Sequence, residues 1–172
     1  MIGNHAIPMI LSAYQNGFNG FDANEALKAM VETSTVSHIN SDWELYTQYG
    51  FYPFDKLDNE AVSRTLESGY DDWCVAKMAA KLGEKEIEYK FIQRATYYQN
   101  IFDYQMNNPG DYNEANAWQY FRTPTEYDIK GVTVLLSGKN NFTTKLNDFF
   151  TTHAENPNKF LGQEAMIGQY AH

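Results

Sequence analysis

Two short stretches of the sequence place carboxylates beside aromatic rings. In the first, Asp71 and Asp72 are flanked by Tyr70 and Trp73. Asp is a poor residue for the middle of a helix, so two adjacent Asp residues have no explanation in helix propensity. We expect either a charged surface turn or polar groups that face a cavity, with Trp73 as an apolar platform.

The second stretch spans residues 111–120, where Glu114 and Trp118 lie among Asn, Gln and Tyr side chains. Asp111 and Glu114 are three positions apart at an expected helix start, so a capping box would explain them. The composition also suits a sugar site, because amides and carboxylates bind hydroxyl groups while aromatic rings stack on the apolar face of a pyranose. Both interpretations stay open on these residues alone.

Other catalytic and metal-binding patterns are missing from the sequence. It contains no glycine-rich dinucleotide loop, no P-loop, no H-E-x-x-H and no G-x-S-x-G. The four His are scattered without metal-ligand spacing, and the one Cys permits neither an internal disulfide nor a thiolate metal site. We therefore expect surface or capping His residues, an inert core Cys and no metal ligands among these residues.

The composition favours a folded helical protein and excludes several classes. The 172 residues carry 13 basic and 22 acidic side chains, and the net charge of −9 argues against nucleic-acid binding. With 43% hydrophobic and 16% aromatic residues, the chain can bury a core. No apolar run is long enough to span a bilayer, and the first residues do not resemble a signal peptide. Ala, Leu and Met outnumber Val and Ile, which favours helices. The length suggests one domain or a piece of one.

Capping residues and hydrophobic spacing predict seven or eight helices arranged as antiparallel hairpins. The first two expected helices cover residues 5–16, with Asn4 as N-cap, and 23–36, with Asp22 as N-cap; a short third helix starts with a Ser41–Glu44 capping box and ends at Gly50. Two longer helices are expected over residues 60–82 and 85–102. The last three are a helix that is capped by Asp111 or Asn113 and runs to Phe121, a helix over 129–137 capped by Asp128, and a helix over 142–151 capped by Asn140 or Asn141. No repeat of fixed period and no shift in composition marks a second domain.

Eight short segments together resemble glycoside hydrolase family 92, the calcium-dependent exo-acting α-mannosidases. They are residues 3–8, 20–22, 50–55, 62–67, 70–76, 98–103, 111–120 and 167–172, and they occur in the family's order. Any one of them could arise by chance, but eight in order over almost the whole chain are specific.

This resemblance implies an all-α fold in which antiparallel helical hairpins form part of an (α/α)6 barrel. Residues 1–172 would be a single partial catalytic domain, without the family's N-terminal β-sandwich and the C-terminal half of its barrel. The open edge of a partial barrel would expose apolar surface, so we expect self-association there.

The resemblance also implies the chemistry of the site. Family members are inverting enzymes, and their general acid corresponds to Glu114 in the segment 112–116, where Asn113 replaces the usual Thr. Asp71, Asp72, Trp73 and Trp118 are the candidates for binding the sugar.

The implied substrates are mannose-containing glycans with terminal α-linked mannose, α-1,2-linked in the type that this sequence resembles. The intact family enzymes use calcium and are typically exported. The chain ends before the family's G-N-E-P segment and lacks the D-D-C-G-type segment that carries the general base. We therefore expect the isolated chain to bind no calcium and to be nearly inactive, with no nucleic-acid or membrane partner. The alternatives are a non-catalytic carbohydrate-binding module or structural remnant and, third, a different (α/α)-barrel glycosidase.

Overall fold

The computed structural model describes residues 3–38, 41–53, 55–57, 60–103, 108–109 and 127–155. These residues form seven α-helices, namely α1 (Ala6–Gln15), α2 (Ala23–Thr33), α3 (Trp43–Tyr49), α4 (Ala61–Leu82), α5 (Lys85–Arg94), α6 (Ile129–Leu135) and α7 (Lys139–Glu155). A 3-10 helix, Tyr97–Ile101, follows α5, and the two-residue strands β1 (Phe102–Asp103) and β2 (Asn108–Pro109) pair antiparallel. The all-α class predicted from the sequence is confirmed.

The chain divides into two compact units, residues 1–129 and 130–172. The first contains α1 to α5, the 3-10 helix and the strand pair. The second contains α7 and all of α6 except its first residue, with Val132, Leu135 and Leu136 buried. No helix in the described ranges is long and apolar enough to cross a membrane.

Helix α4 is the centre of the first unit and packs against α5, α1 and α2. Its C-terminal half is embedded in an apolar cluster of side chains from all four helices, which includes Ile7, Leu11, Leu27, Met30, Cys74, Val75, Met78 and Phe91. Cys74 is buried there, as expected for an inert core cysteine. Packing against α1, α2 and α5 holds α4 helical despite the weak helix formers at its centre.

The N-terminal half of α4 packs instead against aromatic side chains. Tyr46 on α3 stacks on Tyr52 at 5.1 Å between ring centroids, and Trp43 meets Tyr46 edge-on at 5.6 Å. The backbone N–H of Tyr52 donates to the Thr65 hydroxyl on α4, 3.0 Å away. This side-chain network fixes the loop after α3 to the central helix.

Several predicted helix ends are confirmed. The Asp22 carboxylate accepts from the backbone N–H groups of Asn24 and Glu25, and this is the expected N-cap of α2. Gly50 and Gly83 follow α3 and α4 in the left-handed conformation that glycine adopts without strain.

The predicted caps of α1, α3 and α7 are wrong. The Asn4 side chain donates to the Thr33 hydroxyl at 2.6 Å, and His5 occupies the N-cap position of α1. Asp42, rather than Ser41, caps α3 through the N–H of Leu45. Helix α7 starts at Lys139, so the predicted caps Asn140 and Asn141 are internal to it.

Helices α2 and α5 end earlier than predicted because tertiary contacts take their last carbonyl groups. The Thr33 carbonyl accepts from the Trp43 indole N–H at 2.7 Å, so α2 stops there instead of at residue 36. Helix α5 ends at Arg94 instead of residue 102, since the Ala95 carbonyl accepts from the Tyr127 hydroxyl at 3.1 Å. The predicted helix between residues 111 and 121 lies outside the described residues.

Candidate functional site

The three candidate residues on α4 point in different directions. Asp71, Asp72 and Trp73 are consecutive, and successive residues of an α-helix are turned by about 100° from one another. Asp71 contacts the chain just before α1, Asp72 contacts α5, and Trp73 contacts Tyr127. The structure therefore does not bring these three side chains to one pocket. Glu114 and Trp118 lie outside the described residues.

Asp71 is buried, with 1% of its surface exposed, so it does not belong to a charged surface turn. One carboxyl oxygen, Oδ2, accepts from the backbone N–H of Asn4 at 2.7 Å. Its other oxygen is buried and makes no hydrogen bond within the described part of the chain. Burial raises the pKa of Asp71 to about 8, against the Asn4 hydrogen bond, which lowers it. Asp71 thus fixes the start of α1 to the middle of α4.

Asp72 forms a buried ion pair with Arg94. The guanidinium Nε donates to the carboxylate at 2.9 Å, and the two side chains are 4% and 0% exposed. A second guanidinium nitrogen donates to the Ser34 carbonyl at 2.9 Å, which connects the pair to the end of α2. Burial raises the pKa of Asp72 to about 7, while the charge of Arg94 opposes the rise. The pair therefore links α2, α4 and α5.

Aromatic rings enclose the Arg94 guanidinium. Its central carbon lies 4.8 Å from the ring centroid of Phe91, 4.9 Å from that of Trp43 and 5.6 Å from that of Tyr46. A guanidinium is attracted to aromatic faces and is less strongly hydrated than an ammonium group, which suits it to this enclosed position. Asp72 and Arg94 thus act inside the fold, away from solvent.

Trp73 is half-buried in a group of aromatic rings. Its ring is stacked near Tyr70 at 6.1 Å between centroids, and Tyr127 lies 5.9 Å away in a tilted arrangement. The Lys77 ammonium sits 5.3 Å from the Trp73 centroid. Of the three α4 candidates, Trp73 alone keeps partly accessible surface that a ligand could contact.

Sequence reasoning missed Arg94 and Tyr127. A signal for Arg94 was present, because Phe91, Arg94, Ala95 and Tyr98 recur at the spacing of one helical face and their neighbours are apolar or aromatic. An arginine on an apolar face requires a buried partner, and the unexplained aspartates were candidates for it. Tyr127 had no such signal, since its contacts depend on the tertiary fold.

The described residues do not bring together the ligands that a calcium site needs. Calcium takes six to eight oxygen ligands, with carboxylates prominent among them. Within the described ranges, no group of three or more Asp, Glu, His or Cys side chains could hold a metal ion. Asp71 and Asp72 do not fit the ion either, because they already serve a backbone N–H and a guanidinium.

Comparisons with known proteins identify related sequences and structures. A family model described as the glycosyl hydrolase family 92 catalytic domain matches residues 1–172. The family GH92 inverting mannosidase BT2199 from Bacteroides thetaiotaomicron superposes with a TM-score of 0.76 at 26% identity, over 86% of this chain and 23% of that one. The family GH92 α-mannosidase BT3965 from the same organism gives 0.76 at 31% identity, over 88% and 22%. A structure of BT3965 with mannoimidazole gives 0.71 at 29% identity, over 88% and 23%.

The chain thus spans less than a quarter of the length of these solved relatives. No curated protein matches the sequence. The helices described above are therefore similar to part of a family 92 catalytic domain, and the partial (α/α)6 barrel expected from the sequence agrees with that similarity.

Proposed function

Because the chain belongs to the glycosyl hydrolase family 92 catalytic domain, we propose that it is the part of an inverting α-mannosidase that supplies the general acid. The match of the family model to all 172 residues is the observation that carries this proposal. In an inverting glycosidase, one carboxylic acid protonates the departing glycosidic oxygen while a second carboxylate activates water on the opposite face of the sugar. Glu114 is the proposed acid.

An acid that donates a proton near neutral pH needs a pKa above that of an ordinary glutamate. Burial beside apolar rings and neighbouring carboxylates produces such a rise in glycosidases. Trp118 follows Glu114 by four positions, so we propose that it contacts the sugar while Glu114 protonates the leaving group. The substrate would be a glycan with terminal α-linked mannose. We propose an α-1,2 linkage, as in the type of family member that the sequence segments resemble.

The residues on α4 receive separate roles in this proposal. Trp73 contacts the sugar through its accessible surface, since aromatic rings stack on pyranose faces. Asp71 positions the chain at Asn4 and His5, next to the start of α1. Asp72 supports the site from within the fold through its ion pair with Arg94, and does not touch the sugar.

We propose that residues 1–172 act as one partial catalytic domain and are nearly inactive alone. Inversion needs two carboxylates about 6.5–9.5 Å apart, and the sequence contains no counterpart of the family segment that carries the base. Calcium in the intact enzyme would be held by residues other than those described here.

Mannose release from α-1,2-mannobiose by the purified chain, with calcium present, tests this proposal. We expect little or no turnover. Robust turnover that Glu114→Gln leaves unchanged would overturn both the role of Glu114 and the argument for a missing base.

Titration with mannose, followed by tryptophan fluorescence, tests whether the chain retains sugar binding. Quenching that Trp73→Phe abolishes supports sugar contact at Trp73. Quenching that is unchanged in Trp73→Phe refutes it. No response at all favours the alternative of a structural remnant.

We also propose self-association through exposed apolar side chains. Met9 on α1 is 67% exposed, and Phe18, between α1 and α2, is 68% exposed. Exposed apolar groups promote association when they form contiguous patches. Light scattering at increasing protein concentration should show a rising mass that Met9→Ser with Phe18→Ser reduces. A constant monomer mass would contradict this.

A further inference from the structure

The connection between α1 and α2 contains two Asn-Gly pairs, Asn16-Gly17 and Asn19-Gly20. No other Asn in the sequence precedes a Gly. In such a pair the backbone nitrogen of the glycine can attack the side-chain amide of the asparagine, because the glycine has no Cβ atom to obstruct the approach. Each pair is followed by Phe, so the local sequence gives the two asparagines similar reactivity.

Burial does not distinguish the two pairs. All four of their residues are exposed. A Cβ atom added at either glycine would meet nothing within 4 Å, its neighbours in the sequence aside. Solvent therefore reaches both pairs, and the difference between them lies in their hydrogen bonds.

Hydrogen bonds hold both reacting groups of the first pair. The Asn16 side-chain amide donates to the Ser12 carbonyl at 2.8 Å. The backbone N–H of Gly17 donates to the Tyr14 carbonyl at 3.2 Å. The Gly17 nitrogen would be the attacking atom and the Asn16 amide the group attacked, so both bonds must break before the two can react. The end of α1 thus protects Asn16.

The second pair has no such protection. Asn19 and Gly20 lie outside the helices and strands, and neither makes a hydrogen bond to another residue in the described part of the chain. An exposed loop with so few bonds changes conformation at little cost in free energy. The Gly20 nitrogen can therefore approach the Asn19 side chain without breaking a contact.

We propose that Asn19 is a site of spontaneous deamidation, which converts its amide to a carboxylate, while Asn16 reacts more slowly. The Gly20 nitrogen loses its proton and bonds to the Asn19 Cγ atom. The bond from Cγ to the amide nitrogen breaks, and ammonia leaves with that proton. Solvent water then opens the cyclic imide at either carbonyl, which gives aspartate or isoaspartate.

The modification changes the surface of this connection. It adds one negative charge to a chain whose net charge is −9. In the sequence the new carboxylate lies between two exposed rings, Phe18 at 68% and Phe21 at 38%. Isoaspartate also lengthens the backbone by one carbon atom, just before the Asp22 cap of α2. An exposed apolar stretch thereby becomes charged.

Incubation of the folded 172-residue chain in mildly alkaline buffer, followed by chymotryptic digestion and mass spectrometry, measures both rates. Chymotrypsin cleaves after Phe18, so the two asparagines fall in different peptides. Two hydrogen bonds must open at Asn16 and none at Asn19, so Asn19 should deamidate on the order of ten-fold faster. Equal rates, a faster reaction at Asn16 or no reaction at Asn19 would overturn the proposal.

The same chain unfolded in urea is the control for local sequence. Unfolding removes the hydrogen bonds to Ser12 and Tyr14, so the rates at Asn16 and Asn19 should become nearly equal. A preference for Asn19 that persisted unchanged in urea would show that sequence, and not the fold, selects the site, which would overturn the structural argument.

Gly20→Ala tests the attacking nitrogen in a chain that still folds. Gly20 does not have a positive φ, and the new Cβ atom has open space, so the urea unfolding midpoint should stay unchanged. The methyl group hinders the attack, so the rate at Asn19 should fall to that of Asn16 or below. An undiminished rate at Asn19 in this variant would refute the proposed route.

Discussion

Replacing Asp72 by Asn would test whether the buried ion pair supports the fold. Asn keeps the shape of the side chain but removes its negative charge, so the Arg94 guanidinium would stay buried without compensation. Removing one partner of a buried pair costs about 3–5 kcal/mol of unfolding free energy. The 2.9 Å distance and the 4% and 0% exposures place this pair in that class.

The size of the loss should depend on pH in a defined direction. The pKa of Asp72 is raised to about 7, so the carboxyl is ionised above that value and increasingly protonated below it. Asn does not titrate, whereas the raised pKa makes the stability contribution of the native Asp72 complete below about pH 4 and lost as the pH rises through about 7. The loss caused by Asp72→Asn should therefore be largest at the acidic end of this range and shrink as the pH rises through about 7.

Urea unfolding at several pH values, followed by tryptophan fluorescence, measures this loss. The matched control is Glu88→Gln, because Glu88 and Lys85 also lie 2.9 Å apart but with 34% and 79% of their side chains exposed. Its effect should stay below about 1 kcal/mol. Adding Arg94→Met to Asp72→Asn should recover part of the loss, since it removes the uncompensated charge. An Asp72→Asn effect no larger than that of Glu88→Gln would refute the reasoning.

Three further predictions concern stability and use the same urea assay. The pKa of Asp71 is raised to about 8 from 3.8, so its contribution to the free energy of unfolding is complete below about pH 4 and lost as the pH rises through about 8. Asp71→Asn should therefore flatten the decline in stability over this pH range. A pH profile that is the same in the variant and the native chain would argue against this role of Asp71. Asp22→Ala removes the cap of α2 and should cost about 1 kcal/mol, whereas no loss would mean that the cap is dispensable. Met78→Ala in the apolar cluster should cost about 2–5 kcal/mol, and a loss under about 1 kcal/mol would indicate a core that refills the space.

Local signals in the sequence predict much of the fold. The Asp22 cap depends on backbone groups two and three residues away, and Gly83 ends α4 through its own conformation, so both can be read from short windows. The spacing of apolar residues likewise predicts a helix over residues 60–82, where the structure has α4. These features need no knowledge of distant residues.

Features that depend on distant residues could not be predicted in the same way. Helix α5 stops at Arg94 because Tyr127 takes the next carbonyl, 32 positions along the chain. Asn4 has the composition of a cap, but Thr33 takes its side chain. Asp71, Asp72 and Trp73 are adjacent in the sequence and were therefore expected to bind the sugar together. In the helix, adjacent side chains point to three different faces.

The most direct test of Glu114 as the general acid uses a longer protein that contains this segment. Residues 1–172 would replace the matching segment of the α-mannosidase BT3965, with which they share 31% identity. Mannose release from a terminal α-mannoside would then be compared with and without Glu114→Gln, with Glu88→Gln as the control. We expect an active chimera in which Glu114→Gln lowers kcat by about 10²–10⁴-fold. An active chimera in which Glu114→Gln leaves kcat unchanged would contradict the role proposed for this chain.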